Sequence, residues 1–239
     1  CQRGFAVAEI NYRGSTGFGR KFRLALEGRW GDVDVADMER AADHLASFGL
    51  ADGRRVFIQG RSSGGYTALM AMIRSQRFTA GASMFGVTDP MRLRAMTHRF
   101  ESGYLDWLLG SPEKHPKRWR ERTPLFHADR ITAPMIFFQG GQDKVVVPEQ
   151  TRAMAEAEKH ALEGMSGPLG VATHEHGHDW DFGYSYEWEW TSGAEENYLT
   201  AAREVSYRQW NAGVSFEGVS VELDFDFPTR GSISSTVVV

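Results

Sequence analysis

Apolar and polar positions along the chain alternate between two kinds of pattern. Short runs rich in β-branched and aromatic residues have the length of buried strands: Phe5-Ala6-Val7-Ala8-Glu9-Ile10, Val56-Phe57-Ile58-Gln59, Ala80-Gly81-Ala82-Ser83-Met84-Phe85-Gly86-Val87 and Ala133-Pro134-Met135-Ile136-Phe137-Phe138-Gln139-Gly140. Between them the apolar positions recur near the helical period. Asp32 to Phe48 places Val33, Val35, Met38, Ala41, Ala42, Leu45 and Phe48 on one stripe, with acids at its start, where the helix dipole favours them. Ala68-Leu69-Met70-Ala71-Met72 are strong helix formers, and from Pro148 a further helix carries Met154, Ala157 and Ala161 inside. The stretch from Asp89 to Arg130 reads as a helical excursion over the top of the sheet, where specificity is built in such folds. Strands alternating with helices predict an α/β fold, a mostly parallel sheet with helices on both faces.

The later chain patterns differently. Val171-Ala172-Thr173 is a short strand, and Ala194 to Trp210 has the periodicity of a closing helix. Val214 to Phe227 alternates as a half-buried strand, with Val219, Val221, Leu223, Phe225 and Phe227 on one face. The last nine residues look like a frayed tail with an exposed apolar end. The expected division is an α/β domain over 1–213 and a divergent strand-like tail over 214–239.

Composition narrows the function classes. A net charge of −4 over 239 residues gives no electrostatic reason to expect nucleic acid or an anionic membrane as partner. No apolar run approaches the ~18 residues of a membrane span, and no signal peptide is legible. One cysteine, Cys1, leaves no internal disulfide framework and suits a reducing cytoplasm. The opening Cys-Gln-Arg-Gly, without Met and running at once into a strand, reads as a start inside a domain.

The chemistry concentrates where the strand Val56–Gln59 meets the helix beyond it. Gly60-Arg61-Ser62-Ser63-Gly64 has G-x-S-x-G spacing in a strand, turn, helix context. So tight a turn leaves no room for a Cβ on its flanking residues, hence the glycines. It would lift Ser62 clear of the sheet and aim the Ser63 backbone N–H at any oxyanion that forms. The glycines of Asn11-Tyr12-Arg13-Gly14-Ser15-Thr16-Gly17-Phe18-Gly19 match neither phosphate-binding fingerprint, which sets nucleotide binding aside.

Asp143 follows the next strong strand, so both Ser62 and Asp143 fall at carboxyl ends of strands, where α/β sheets collect their active groups. Ser, then acid, then His is the chain order of an α/β-hydrolase triad. The loop after Thr173 offers His174, His176 and His178. His176, followed by Gly177, is the preferred base and His178 the second choice. Asp89 also follows a strand, but chain order favours Asp143, while His98 and His127 do not follow the last strand and read as structural or surface residues.

With these residues in hand the chain resembles the catalytic domain of the prolyl oligopeptidase family, most closely its acylaminoacyl-peptidase-like branch. The likeness rests on Asn11 through Gly19, on Trp30-Gly31-Asp32-Val33 and on the elbow with Gly65 and Tyr66. It continues through Ala80-Gly81-Ala82-Ser83, Thr97-His98-Arg99-Phe100-Glu101-Ser102, and Phe138-Gln139-Gly140 with Asp143-Lys144-Val145-Val146. It runs nearly unbroken from Gly4 to about Met154 and fades from Asp181. The resemblance implies an α/β-hydrolase fold and cleavage of short peptides through an acyl-enzyme on Ser62, with Asp143 and His176 completing the triad. It also implies a β-propeller domain in a longer parent chain that limits access to the site. The family's His-Gly-Gly-Pro loop, donor of a second oxyanion N–H, would lie upstream of Cys1. By fold analogy Tyr66 and the Asp89–Arg130 excursion shape the acyl-side pocket.

Two other readings compete. The elbow alone does not separate a peptidase from a carboxylesterase. His174-Glu175-His176-Gly177-His178-Asp179 is also similar to the H-x-H-x-D-H zinc signature, but its final two positions are transposed and the rest of the chain lacks that fold's pattern. The expectation is therefore no cofactor, no metal and a peptide as substrate, with the oligomeric state left open by the sequence.

Overall fold

In the computed structural model the first apolar run forms β1 (Val7–Ile10), and after a one-turn helix α1 (Arg20–Leu24) the amphipathic stretch forms α2 (Val33–Ser47). The structure describes the backbone of residues 5–96, 99–162, 169–174, 186–192, 195–201, 210–216, 219–225 and 235–238, and the side chains of 5–96 and 103–158. The strand before Ser62 is β2 (Phe57–Arg61), and Ser63 opens α3 (Ser63–Arg74). Next comes β3 (Ala80–Met84). The excursion is helical as expected: α4 (Pro90–Met96), α5 (Arg99–Leu109), α6 (Pro116–Glu121) and a 3-10 segment, Pro124–Arg130. Then follow β4 (Met135–Gly140), α7 (Pro148–Leu162) and β5 (Leu169–His174).

β2, β3, β4 and β5 pair in parallel and in that order, so their carboxyl ends lie along one edge of the sheet. α3 is buried from Gly64 through Ile73, apolar on every side, which a helix tolerates only when it is enclosed. It packs on β2 and β3 beneath and on α2 and the 3-10 segment beside it, and that segment packs in turn on α7. The core follows this layer, with Met38, Ile58, Leu69, Met70, Phe137 and Met154 almost completely enclosed. No helix among the described residues is long and apolar enough to cross a membrane.

Three sequence expectations change. Where a closing helix was expected from Ala194, the backbone forms an antiparallel pair, β6 (Tyr186–Ser192) and β7 (Glu195–Ala201), which extends the sheet beyond β5. The alternating aromatic residues Tyr186, Trp188 and Trp190 have strand propensity, and a neighbour paired in register outweighs a weak helical periodicity. The single strand expected over Val214–Phe227 is instead one arm of a hairpin, β8 (Trp210–Phe216) with β9 (Val219–Phe225), in a sheet of its own. The supposedly frayed end contains β10 (Ser235–Val238), which lies antiparallel between β1 and β2 inside the main sheet. Unpaired N–H and C=O groups on β1 and β2 are the attraction, since a strand slot between them would otherwise leave two open edges.

α7 carries an acid at a core position. Thr151, Met154, Ala155 and Glu158 form its buried stripe, and neither Glu158 carboxylate oxygen has a hydrogen-bond partner among the described residues. Burial pushes this carboxyl up to about 8. In the unfolded chain it ionises near the ordinary glutamate value of about 4.3, so between those two values unfolding releases a proton and stability falls as pH rises. The slope is at most about 1.4 kcal/mol per pH unit. Urea melts should show wild type losing about 3 kcal/mol more than Glu158→Gln between pH 5 and pH 8. Parallel pH dependence of the two proteins would show that the carboxyl is solvated.

Candidate active site

The turn after β2 is strained in the way an exposed nucleophile requires. Ser62 has φ 50° and ψ −116°, a region that costs a non-glycine residue about 1–3 kcal/mol and persists only where neighbours over-determine it. They do so here. The Ser62 N–H donates to Met84 O of β3 at 2.9 Å, and the Tyr66 N–H donates to Ser62 O at 3.0 Å as α3 begins. A Cβ on Gly60 would fall on the Gly64 carbonyl and within 2.8 Å of the Gly65 nitrogen, so the steric need for glycine before the serine is real. Ser63 is the first residue of α3, whose opening N–H groups have no acceptor within the helix and sit at its positive end.

A second close approach was not anticipated from sequence. A Cβ on Gly65 would stand 2.7 Å from Gly86 Cα, and one on Gly86 would stand 2.8 Å from the Gly65 carbonyl carbon. The head of α3 is therefore pressed against the turn after β3. That turn contains the other positive-φ non-glycine residue among those described, Phe85 at φ 40°, held by a 2.7 Å bond from its N–H to Phe138 O.

Asp143 lies in the turn after β4, on the same edge of the sheet as Ser62 and separated from it by β3 alone. It is 3% exposed. Its Oδ1 accepts the N–H groups of Val145 at 2.8 Å and Val146 at 3.0 Å, while Oδ2 lies 3.5 Å from Gln139 Nε2. Gln139 is itself fixed, donating to Val146 O at 2.9 Å and accepting from Thr151 Oγ1 at 2.5 Å. The plane of the carboxylate is thus set by backbone, which suits a group that must hold an imidazole in one orientation.

The histidines divide. His174 is the last residue of β5, in register with Gly140, rather than the first of a loop. His176 and His178 lie outside the described residues. Asp89, the rival acid, caps α4 instead: its Oδ1 accepts the N–H groups of Met91 and Arg92, each at 3.0 Å. His127 is half-buried, with Nε2 3.1 Å from Arg120 O, and His98 is outside the described residues.

Tyr66 is corrected by its burial. The pocket role would need an open ring face, yet it is 0% exposed and stacks on Trp30 with ring centroids 3.7 Å apart at 25°. Its hydroxyl donates to Arg122 O at 3.0 Å, and the Arg122 guanidinium donates to Trp30 O at 2.6 Å. Tyr66 is a strut that ties α3 to the segment after α6. Sequence showed it next to the elbow; its helical position turns the ring inward.

Two polar residues under the elbow also escaped notice. Asp34, in the first turn of α2, is 0% exposed and accepts the Thr67 hydroxyl at 2.7 Å on Oδ2 and the Asp32 N–H at 3.0 Å on Oδ1. Burial raises its carboxyl pKa, against the lowering effect of these donors. An acid at a helix start looks like a dipole partner, so nothing in the sequence signals that this one is enclosed.

Known proteins align with this geometry. Dipeptidyl peptidase family member 6 of Caenorhabditis elegans is 33% identical over 165 residues, 66% of this chain and 22% of the relative. The acylamino-acid-releasing enzyme of Arabidopsis thaliana is 30% identical over 151 residues, 59% of this chain and 19% of that enzyme. The chain thus spans less than a quarter of the length of either relative. Among solved structures, a puromycin-hydrolyzing peptidase of Mycobacterium tuberculosis superposes with a TM-score of 0.66 at 40% identity, over 72% of this chain and 26% of that one. The acylaminoacyl peptidase of Pyrococcus horikoshii shares the fold, with a TM-score of 0.63 over 71% of this chain and 27% of its own, at 24% identity. Residues 1–192 match the prolyl oligopeptidase family, and the chain belongs to that family.

Proposed function

We propose that this chain is the catalytic part of a serine peptidase that hydrolyses peptide bonds of short peptides. Ser62 Oγ attacks the carbonyl carbon while a histidine, His176 with His178 as the second choice, takes the hydroxyl proton and Asp143 orients the ring. The tetrahedral oxyanion is met by the Ser63 N–H. Collapse breaks the C–N bond, the histidine returns the proton to the departing amine, and an acyl ester on Ser62 remains for water to hydrolyse by the same proton path. The observation that carries this reading is the strained Ser62 turn at the carboxyl edge of the parallel strands, with the backbone-fixed Asp143 one strand away.

The names of the similar proteins favour amide over ester substrates: a puromycin-hydrolyzing peptidase and an acylamino-acid-releasing enzyme. Matched ester and amide substrates separate a peptidase from a carboxylesterase. The same reading takes no cofactor, involves no nucleic acid, and places a propeller domain in a longer cytoplasmic parent.

Intact-mass spectrometry after fluorophosphonate treatment tests it. Wild type should gain a single adduct, absent in Ser62→Ala and in one of His176→Ala and His178→Ala. A wild-type protein that melts cooperatively and gains no adduct would reject the peptidase in favour of a catalytically silent piece that at most binds peptides.

A further inference from the structure

The Thr67 hydroxyl sits where two elements meet. Its single hydrogen goes to Asp34 Oδ2 of α2 at 2.7 Å, and its oxygen lies 3.2 Å from Ser63 O, one helical turn back. Ser63 is the residue whose N–H faces the oxyanion in the reading above, and Asp34 also acts on the buried Tyr12 phenol, whose pKa burial and Asp34 push up to about 12. Asp34 is anchored in turn by the Asp32 N–H, in the segment joining Trp30 to α2. A strained residue keeps its geometry only while its surroundings hold it, and Ser62 is held on its own peptide by Met84 and Tyr66. The first turn of α3, which begins at Ser63, is tied to α2 through the Thr67 hydroxyl.

We propose that Thr67 and Asp34 are positioning residues for the elbow, a buried hydroxyl–carboxylate link that ties the first turn of α3 to α2 and so sets the direction in which the N-terminal N–H of Ser63 meets the oxyanion. Neither residue touches substrate. The link costs the desolvation of a carboxylate, which core packing alone would not require; an apolar pair of the same shape would fill the space with less penalty. Its return is orientation: donors aimed at a developing charge act only when pre-organised, and small misplacements of a reacting group cost large factors in rate.

The inference rests on Ser62 being the nucleophile, and the experiment separates the two. The second-order rate of fluorophosphonate labelling is measured by intact mass on wild type, Thr67→Val, Thr67→Ser and Ser62→Ala, together with kcat and KM for an amide substrate and a thermal melt. Thr67→Val, equal in shape but lacking the hydroxyl, should label about 10- to 100-fold more slowly and lose kcat by a like factor at unchanged KM. Thr67→Ser, which keeps the hydroxyl, should return to within about threefold of wild type. Labelling of folded Thr67→Val at the wild-type rate, with only its melt lowered, would overturn the proposal and leave the link purely structural. Should Thr67→Val fail to melt cooperatively, Thr67→Ala removes the same hydroxyl without a methyl facing Asp34 and is held to the same two results. Absence of labelling in wild type, or its survival in Ser62→Ala, would instead reject the nucleophile.

Discussion

Asp143→Asn should lower kcat by about 10⁴-fold with little change in KM or melting temperature. The size follows from which end of the side chain the protein can turn over. Oδ1 of Asp143 accepts two backbone N–H groups, from Val145 and Val146, at 2.8 and 3.0 Å. An amide placed here must keep its oxygen toward those donors, because an NH₂ in the same position would face two N–H groups. The NH₂ is therefore forced to the Oδ2 position, where it presents a donor to an imidazole that needs an acceptor. The histidine is left in the wrong tautomer to take the Ser62 proton, while the fold keeps both backbone bonds. Steady-state kinetics with an amide substrate, alongside a melt, checks this. A variant retaining wild-type kcat would show that Asp143 is a turn residue and not the orienting acid.

Gly60→Ala should abolish cooperative folding, with a cost above about 4 kcal/mol. Its Cβ would overlap the Gly64 carbonyl, and neither partner is free to yield. Gly60 is in register between Ser83 and Ser235, within a paired strand, and Gly64 is in the first turn of an enclosed helix. Overlap with a flexible side chain would relax by rotation; overlap with backbone has no such route. Gly103→Ala provides the contrast, since a Cβ at Gly103 of α5 meets nothing within 4 Å and a helical alanine is favoured by about 1 kcal/mol. Circular dichroism melts of both variants read the difference. A folded Gly60→Ala with a near-wild-type midpoint would mean that the elbow can open without loss of the sheet.

The strand, turn and helix around Ser62 and the turn that carries Asp143 were legible because their signals are local. A strand, a glycine two residues before the serine, and a helix after it are contiguous in sequence, and the acid turn follows its own strong strand. The excursion from Asp89 to Arg130 was likewise recognisable as helical, and its helices form. What sequence could not provide was the identity of the neighbours. Asp34 and Glu158 are both acids on amphipathic helices, and only the elements packed against them make them buried rather than solvated. Tyr66 was misplaced for the same reason: adjacency to Ser62 in sequence says nothing about which side of α3 meets Trp30. The error over Glu195–Ala201 has another cause. β6 and β7 are held by partners in register from Tyr186↔Ala201 to Ser192↔Glu195, and which segment a strand pairs with is not written in the periodicity of either segment alone.

The placement of β10 has a bearing on how the chain reaches this fold. Val7 is the register partner of Val238, so β1 meets the rest of the sheet through residues at the far end of the sequence. Until β10 docks, β1 and β2 have no strand between them. What then binds the first segment to the body is its packing on α2 and the Arg13 guanidinium, which grips the Asp37 carboxylate at 2.7 to 3.0 Å. Closing a loop of this length carries an entropic cost that local contacts do not offset, and ladders of high sequence separation are the slow ones to form. During synthesis α2, β2 and α3, close together in sequence, can assemble around their own apolar faces, whereas the edge of β2 waits for Ser235–Val238. During that interval it presents the kind of open strand edge that a neighbouring chain can pair with.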